Sequence, residues 1–157
     1  MTRRDGRATL GQRVVESVTD HDGPKQTMRA ALSLDELDAP WVVDGAVHGA
    51  LFHCWGSEVW GPTVQPGAIV LWDKLSAHKV AGVAELLAAR GARLLRLAPS
   101  SPDCNPMEQC WSKSKTYVRR AKARTGEAWI AAIKEALDTI TVADIRGWFE
   151  YCSYPVH

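Results

Sequence analysis

Asp73 and Glu108 are the residues of this chain whose types and spacing best suit chemistry. Asp73 closes the apolar run Gly67-Ala68-Ile69-Val70-Leu71-Trp72. Glu108 follows the punctuated stretch Ser101-Pro102-Asp103-Cys104-Asn105-Pro106, with 34 residues between the two acids. Carboxylate oxygens are the ligands that hard Mg²⁺ prefers, and a bound Mg²⁺ keeps some of its waters. Two acids converging on one site are therefore what metal-assisted phosphodiester chemistry requires. Each acid also has an ordinary use. A strand-end Asp caps the following turn, and a Glu in the first turn of a helix meets the helix dipole favourably.

The elements around the two acids decide between these uses. The run ending at Asp73, bounded by Pro66-Gly67 and Lys74, reads as a central strand of a parallel sheet with both faces covered. Ligands of such sheets sit beyond the carboxyl ends of the strands. The stretch 79–90 reads as a helix with Val80, Val83, Ala84 and Leu87 on one face and Gly91 at its C′ position. Residues 93–97 return as another strand, which makes a right-handed βαβ crossover. Asn105 then caps a helix with Pro106 at its first position and Glu108 three residues past the cap. Met107, Cys110, Trp111, Ser114, Tyr117, Val118 and Ala121 form the core-facing stripe of that helix, with Glu108 at its border.

Upstream, the β-branched segment 13–18 and residues 27–32 and 40–43 read as strands, the last stopped by Asp44-Gly45. A helix is predicted over 50–60 from Leu51, Phe52, Trp55, Val59 and Trp60, stopped by Gly61-Pro62. Downstream, Thr125 caps a helix with Trp129, Ile130, Ile133, Ala136, Leu137 and Ile140 on its apolar face, and Thr141 caps a last helix reaching about Cys152. The expectation is one α/β domain over 1–157, with strands and helices at 13–123 and C-terminal helices at 126–152.

At 157 residues the chain can bury about 68 to 70% of its unfolded surface. Its 46% hydrophobic content and seven tryptophans exclude disorder. A net charge of +1 excludes a strongly basic chain, so affinity for nucleic acid must come from local patches. One such patch is Lys113, Lys115, Arg119, Arg120, Lys122 and Arg124, six bases with no acid between them, suited to salt-sensitive phosphate contacts. Cys54, Cys104, Cys110 and Cys152 form no CxxC pair, which argues against a zinc knuckle or a disulfide framework and for a reducing cytosol. His48, His53 and Cys54 match no common zinc spacing. No stretch reaches the roughly 18 to 20 apolar residues of a membrane span.

These blocks resemble the DDE transposases of bacterial insertion sequences in the Tc/mariner superfamily. Residues 68–79, Ala-Ile-Val-Leu-Trp-Asp-Lys-Leu-Ser-Ala-His-Lys, are similar to that family's second-aspartate motif, and 101–109, Ser-Pro-Asp-Cys-Asn-Pro-Met-Glu-Gln, to its glutamate motif. The spacing also matches, and the segments 11–18 and 39–45 resemble the strands that precede the motifs. Lys74 departs from the asparagine usual beside the second aspartate.

The resemblance implies a ribonuclease H-like mixed sheet flanked by helices, whose first three strands are antiparallel neighbours. It implies Asp73 and Glu108 as catalytic and metal-binding residues; Asn105 and Pro106, which set the helix start, are read as structural support, and Lys79, Lys113, Lys115, Arg119, Arg120 and Lys122 as candidate DNA contacts. His78 also matches a position near the site. Two Mg²⁺ ions serve the family, and the aspartate that bridges them lies on a first strand with an Asp-Glu-Thr motif, which is expected to lie ahead of Met1. Asp5 and Asp44 are poor replacements by position, so the two remaining acids are expected to hold at most one weakly bound ion. The expectation is a truncated insertion-sequence transposase fragment, lacking the helix-turn-helix domain and inactive alone. Its partners would be transposon-end and target DNA, itself or an intact transposase, with no membrane, at the nucleoid of the bacterial cytoplasm. The alternative is a non-catalytic DNA-binding or regulatory fragment that interferes with an intact transposase.

Overall fold

A computed structural model describes residues 10, 26–72, 82–98 and 101–156. The segment 13–18 and Asp73, Lys74, His78 and Lys79 lie outside the described residues. The chain divides into two compact units, Pro24–Cys110 with Ile140–His157, and Met1–Gly23 with Trp111–Thr139.

In the first of these units β1 (Gln26–Leu32) and β2 (Leu37–Asp44) form an antiparallel hairpin. Its register shifts between Arg29, opposite Trp41, and Ala31, opposite Asp38. Ala39 and Pro40 therefore face the single residue Ala30, a β-bulge with Ala39 at φ 50°. The bulge is where a proline, which has no N–H for a ladder, can sit inside a strand. It also turns the Ala39 carbonyl to accept a 3.0 Å hydrogen bond from the indole N–H of Trp55. Asp44 ends the hairpin with its carboxylate accepting a 2.8 Å bond from the Gln26 amide.

α1 (Gly49–Cys54) runs into a π-helical stretch, Trp55–Trp60, and then a 3₁₀ turn, Gly61–Thr63. The expected single α-helix over 50–60 is thus only half α-helical. A π turn brings residues five apart onto one face, and Trp55 and Trp60 stack there at 5.4 Å with planes 9° apart. The widened turn needs a close approach at Gly61, where a Cβ would stand 2.6 Å from the Gly56 carbonyl oxygen.

β3 (Ile69–Trp72) and β4 (Arg93–Arg96) pair in parallel, joined through α2 (Val83–Ala89). α2 stops at Gly91, φ 70°, with the Ala92 N–H bonding the Leu87 carbonyl and the Gly91 N–H that of Ala88, a Schellman motif. Phe52, Trp55, Trp60, Val83, Leu87 and Ala92 form the buried core, against which Ala31, Trp41, Val70, Trp72 and Leu94 pack from both strand pairs. Phe52 lies edge-on to Trp72 at 5.6 Å and under the Arg29 guanidinium at 4.7 Å, so it touches both β1 and β3. Burial holds the Arg29 pKa below its ordinary value.

One expectation needs correction. β3 is not covered on both faces: Val70 and Trp72 point to the core, while Ile69 is 57% exposed and Leu95 on β4 is 49% exposed. The period of two turns alternate residues outward, and an apolar composition alone does not reveal that face. Among the described residues, the hairpin and the parallel pair are separate two-stranded sheets, with no ladder joining them.

α3 (Pro106–Ala121) passes from the first unit into the second. Cys110, Ser114 and Val118 are its buried stripe, whereas Ala121 is exposed because it ends the helix. α4 (Gly126–Asp138) belongs to the second unit and is capped by the Thr125 hydroxyl, which accepts from the Ala128 N–H at 3.1 Å. α5 (Val142–Tyr151) returns to the first unit behind a capping box between Thr141 and Asp144.

Candidate active site

β3 and β4 run in the same direction, so their carboxyl ends share one edge. The Leu97 N–H donates to the Trp72 carbonyl at 2.8 Å, which carries the pairing to the last described residue before Asp73. The Glu108 motif follows β4 in the chain. Both acids therefore follow strands that leave the sheet at the same end, where ligands of parallel sheets bind.

The position of Glu108 is built from local backbone bonds. Residues Pro102–Cys104 make a 3₁₀ turn, and Asn105 is extended at φ −116°, ψ 99°. The Asn105 side-chain oxygen accepts from the Met107 N–H at 3.1 Å, and its carbonyl accepts from the Glu108 N–H at 3.0 Å. Pro106, buried, occupies the first helical position, where a missing N–H costs nothing. The Tyr154 hydroxyl, from the end of α5, donates to the Cys104 carbonyl at 2.9 Å and ties the turn from outside. Glu108 itself is exposed. Among the described residues its carboxylate makes no hydrogen bond or ion pair.

The other candidates separate clearly. Among the described residues no three His, Cys, Asp or Glu side chains group as a metal site. His53 lies against Gly82, and Asp44 is engaged by Gln26 at the far end of the hairpin. Lys113 is half-buried and its ammonium donates to the Thr139 carbonyl at 2.8 Å, at the C-cap of α4. A cation satisfies the unpaired carbonyls of a helix end, so Lys113 is held inside its unit. Lys115, Arg119 and Arg120 are exposed along α3, and Lys122 is exposed just past its end at φ 49°. Lys79 lies outside the described residues.

Two residues at the site were not singled out from the sequence. Arg96 closes β4, exposed and in register with Trp72, so the residue stands at the edge where both strands end. Its position as the last residue of an apolar strand was the available signal. Tyr154 gave none, because its partner Cys104 is fifty residues away in the chain.

The family model for the DDE superfamily endonucleases matches residues 1–130. No curated protein matches the chain in sequence. Among solved structures, the Mos1 transposase paired-end complex with left transposon end superposes with a TM-score of 0.74 at 13% identity, covering 96% of this chain and 47% of that one. The Mos1 strand transfer complex gives 0.72 at 16% identity, over 96% and 47%. The Mos1 mariner paired-end complex with Mn gives 0.72 at 15%, over 96% and 48%. The chain thus spans about half the length of the structures it matches. The similarity extends to the ribonuclease H-like fold of those proteins. This chain belongs to the DDE superfamily of endonucleases and has the fold of the mariner transposases.

Proposed function

We propose that this chain is the part of an insertion-sequence transposase that carries Asp73 and Glu108 as two of the metal-holding acids for DNA strand cleavage and transfer. The observation that carries this reading is the parallel pairing of β3 with β4, from which both motifs leave the sheet at one end. The donor chemistry fits: an exposed carboxylate on a capped helix start offers hard oxygens to a divalent cation. Asp73 and Glu108 are the residues that would hold Mg²⁺, and such an ion supplies stabilisation of charge on the attacking and leaving oxygens. The protein's own part is to hold Glu108 at a fixed place through Asn105 and Pro106. Arg96, at the same sheet edge, is suited to a phosphate oxygen of the DNA.

Asp73 and Glu108 alone leave the proposed ion site short of ligands. We therefore expect the 157-residue chain to show no cleavage above background with Mg²⁺ or Mn²⁺. Cleavage that Asp73→Ala abolishes would overturn the expected inactivity and leave the assignment of Asp73 standing. Cleavage unaffected by Asp73→Ala and Glu108→Gln would overturn the assignment itself.

A second reading is a DNA-binding or regulatory fragment that acts on an intact transposase, and it rests on the exposed Lys115, Arg119 and Arg120. Phosphate contacts from these residues make binding fall with salt by a log–log slope of about 0.9 per contact on duplex DNA. Replacing both Lys115 and Arg119 by Ala should lower that slope by about two, whereas Lys113→Ala should leave it unchanged. An unchanged slope in the double variant removes this reading.

A further inference from the structure

The turn that sets Glu108 and the end of α5 each carry a cysteine, and one hydrogen bond joins the two segments. Cys104 is exposed and ends the 3₁₀ turn one residue before the Asn105 cap. Cys152 is buried, 8% exposed, and is the C-cap of α5. Beyond it the backbone closes a Schellman motif. Ser153 is left-handed at φ 64° and its N–H bonds the Glu150 carbonyl, while the Tyr154 N–H bonds that of Phe149. The Phe149 and Tyr154 rings meet edge to face at 6.0 Å, the apolar contact that accompanies such an end. This fixes Tyr154, whose hydroxyl holds the Cys104 carbonyl at 2.9 Å.

We propose that Cys104 and Cys152 are a peroxide-responsive thiol pair, which oxidation joins into a disulfide across the turn that positions Glu108. The two thiols differ in their access to solvent. Burial first, then the neighbouring Cys104 and Asp103, pushes the Cys152 thiol up from its ordinary value. Cys104, open to solvent, is the group that meets the oxidant. Its thiolate, formed by loss of a proton to water, attacks one oxygen of hydrogen peroxide. The O–O bond breaks, Cys104 becomes a sulfenic acid and the leaving hydroxide takes up a proton. The Cys152 sulfur then attacks the Cys104 sulfur, forming the S–S bond, and water leaves with the Cys152 proton. Two thiols and one peroxide give one disulfide and two waters. Such bonds in reducing compartments are transient and sensing in character, and this one would pin the α5 end to the turn before α3.

The test is peptide mapping of the full chain after brief treatment with hydrogen peroxide, with Cys54→Ser to remove the other exposed thiol. The expected product is lighter by two hydrogens and yields a linked pair of peptides containing Cys104 and Cys152, which dithiothreitol separates. In Cys152→Ser the link is lost and Cys104 is trapped by dimedone as its sulfenic acid. Amide exchange across 102–108 slows in the linked form relative to the reduced one. Cys104 oxidised while Cys152 remains a thiol in the folded protein overturns the proposal, as does a link between Cys104 and Cys110. The measurement needs no DNA or metal, so its outcome stands apart from that of the nuclease assay.

Discussion

The aromatic core and the turn that carries Glu108 belong to the same compact unit and are held by opposite means. Phe52, Trp55, Trp60 and Trp72 form a closed chain of four ring contacts at 5.4–5.8 Å, and large apolar area removed from water does the holding. Half of residues 101–108 are exposed, Glu108 among them, and the segment is fixed by the Asn105 cap, Pro106 and the Tyr154 hydroxyl. A carboxylate with the role proposed for Glu108 cannot be placed by burial, because an unpaired buried charge is costly. Directional backbone bonds take over that task where the hydrophobic effect is unusable.

The contrast makes its largest prediction at Phe52, 2% exposed and touching both strand pairs. Phe52→Ala should destabilise the chain by about 3–5 kcal/mol in urea unfolding. A loss under about 1 kcal/mol would mean the two strand pairs do not share a core. At the turn, Asn105→Ala should cost about 1 kcal/mol, the usual loss for a helix cap. Its more telling consequence is faster amide exchange confined to Met107 and Glu108, whose N–H groups bond Asn105. If exchange rises equally throughout the core, the cap is not a local device and the contrast fails.

What the sequence revealed follows the same division. The starts of α3, α4 and α5 were legible because a cap is written in a few adjacent residues: Asn105-Pro106, Thr125 and Thr141. The parallel return of β4 was legible from the length and composition between 73 and 93. The π turn was not. Leu51, Phe52, Trp55, Val59 and Trp60 satisfy helical spacing, and only the stacking of Trp55 on Trp60 selects the wider winding. The strand β2 was read too short because its bulge at Ala39-Pro40 looks like a breaker. At the candidate site, the cap that positions Glu108 was legible, whereas the engagement of Lys113 was not, since it depends on Thr139 at the end of another helix. Non-local polar contacts leave no periodic trace.

A smaller effect sharpens the polar side of the comparison. Ser153 holds a left-handed backbone that glycine adopts without strain. Ser153→Gly should therefore stabilise the chain by about 0.5 kcal/mol, the strain relieved exceeding the extra entropy of the unfolded glycine. A destabilised variant would show that the serine side chain contributes more than its backbone costs.

The smallest effect lies on the apolar side, where Asp38 of β2 is opposite Ala31, itself packed against the core. Burial, and then Glu36, raise the pKa of its carboxyl. The folded chain thus holds this proton to a higher pH than the unfolded chain does. Well below both values the group is neutral in either state and costs nothing. As pH rises through the unfolded and then the folded value, the native state alone resists ionisation, and stability falls to a level kept at neutral pH. Asp38→Asn removes that loss, so the variant should be modestly more stable at pH 7, with the gap closing in acid, below the carboxylate range. Because the group is only half-buried, the gap should also shrink with added salt to the extent that Glu36 causes it. A variant equally stabilised in acid and at pH 7 would trace the gain to packing or strand propensity and remove the charge from the account of why this side of the molecule depends on being dry.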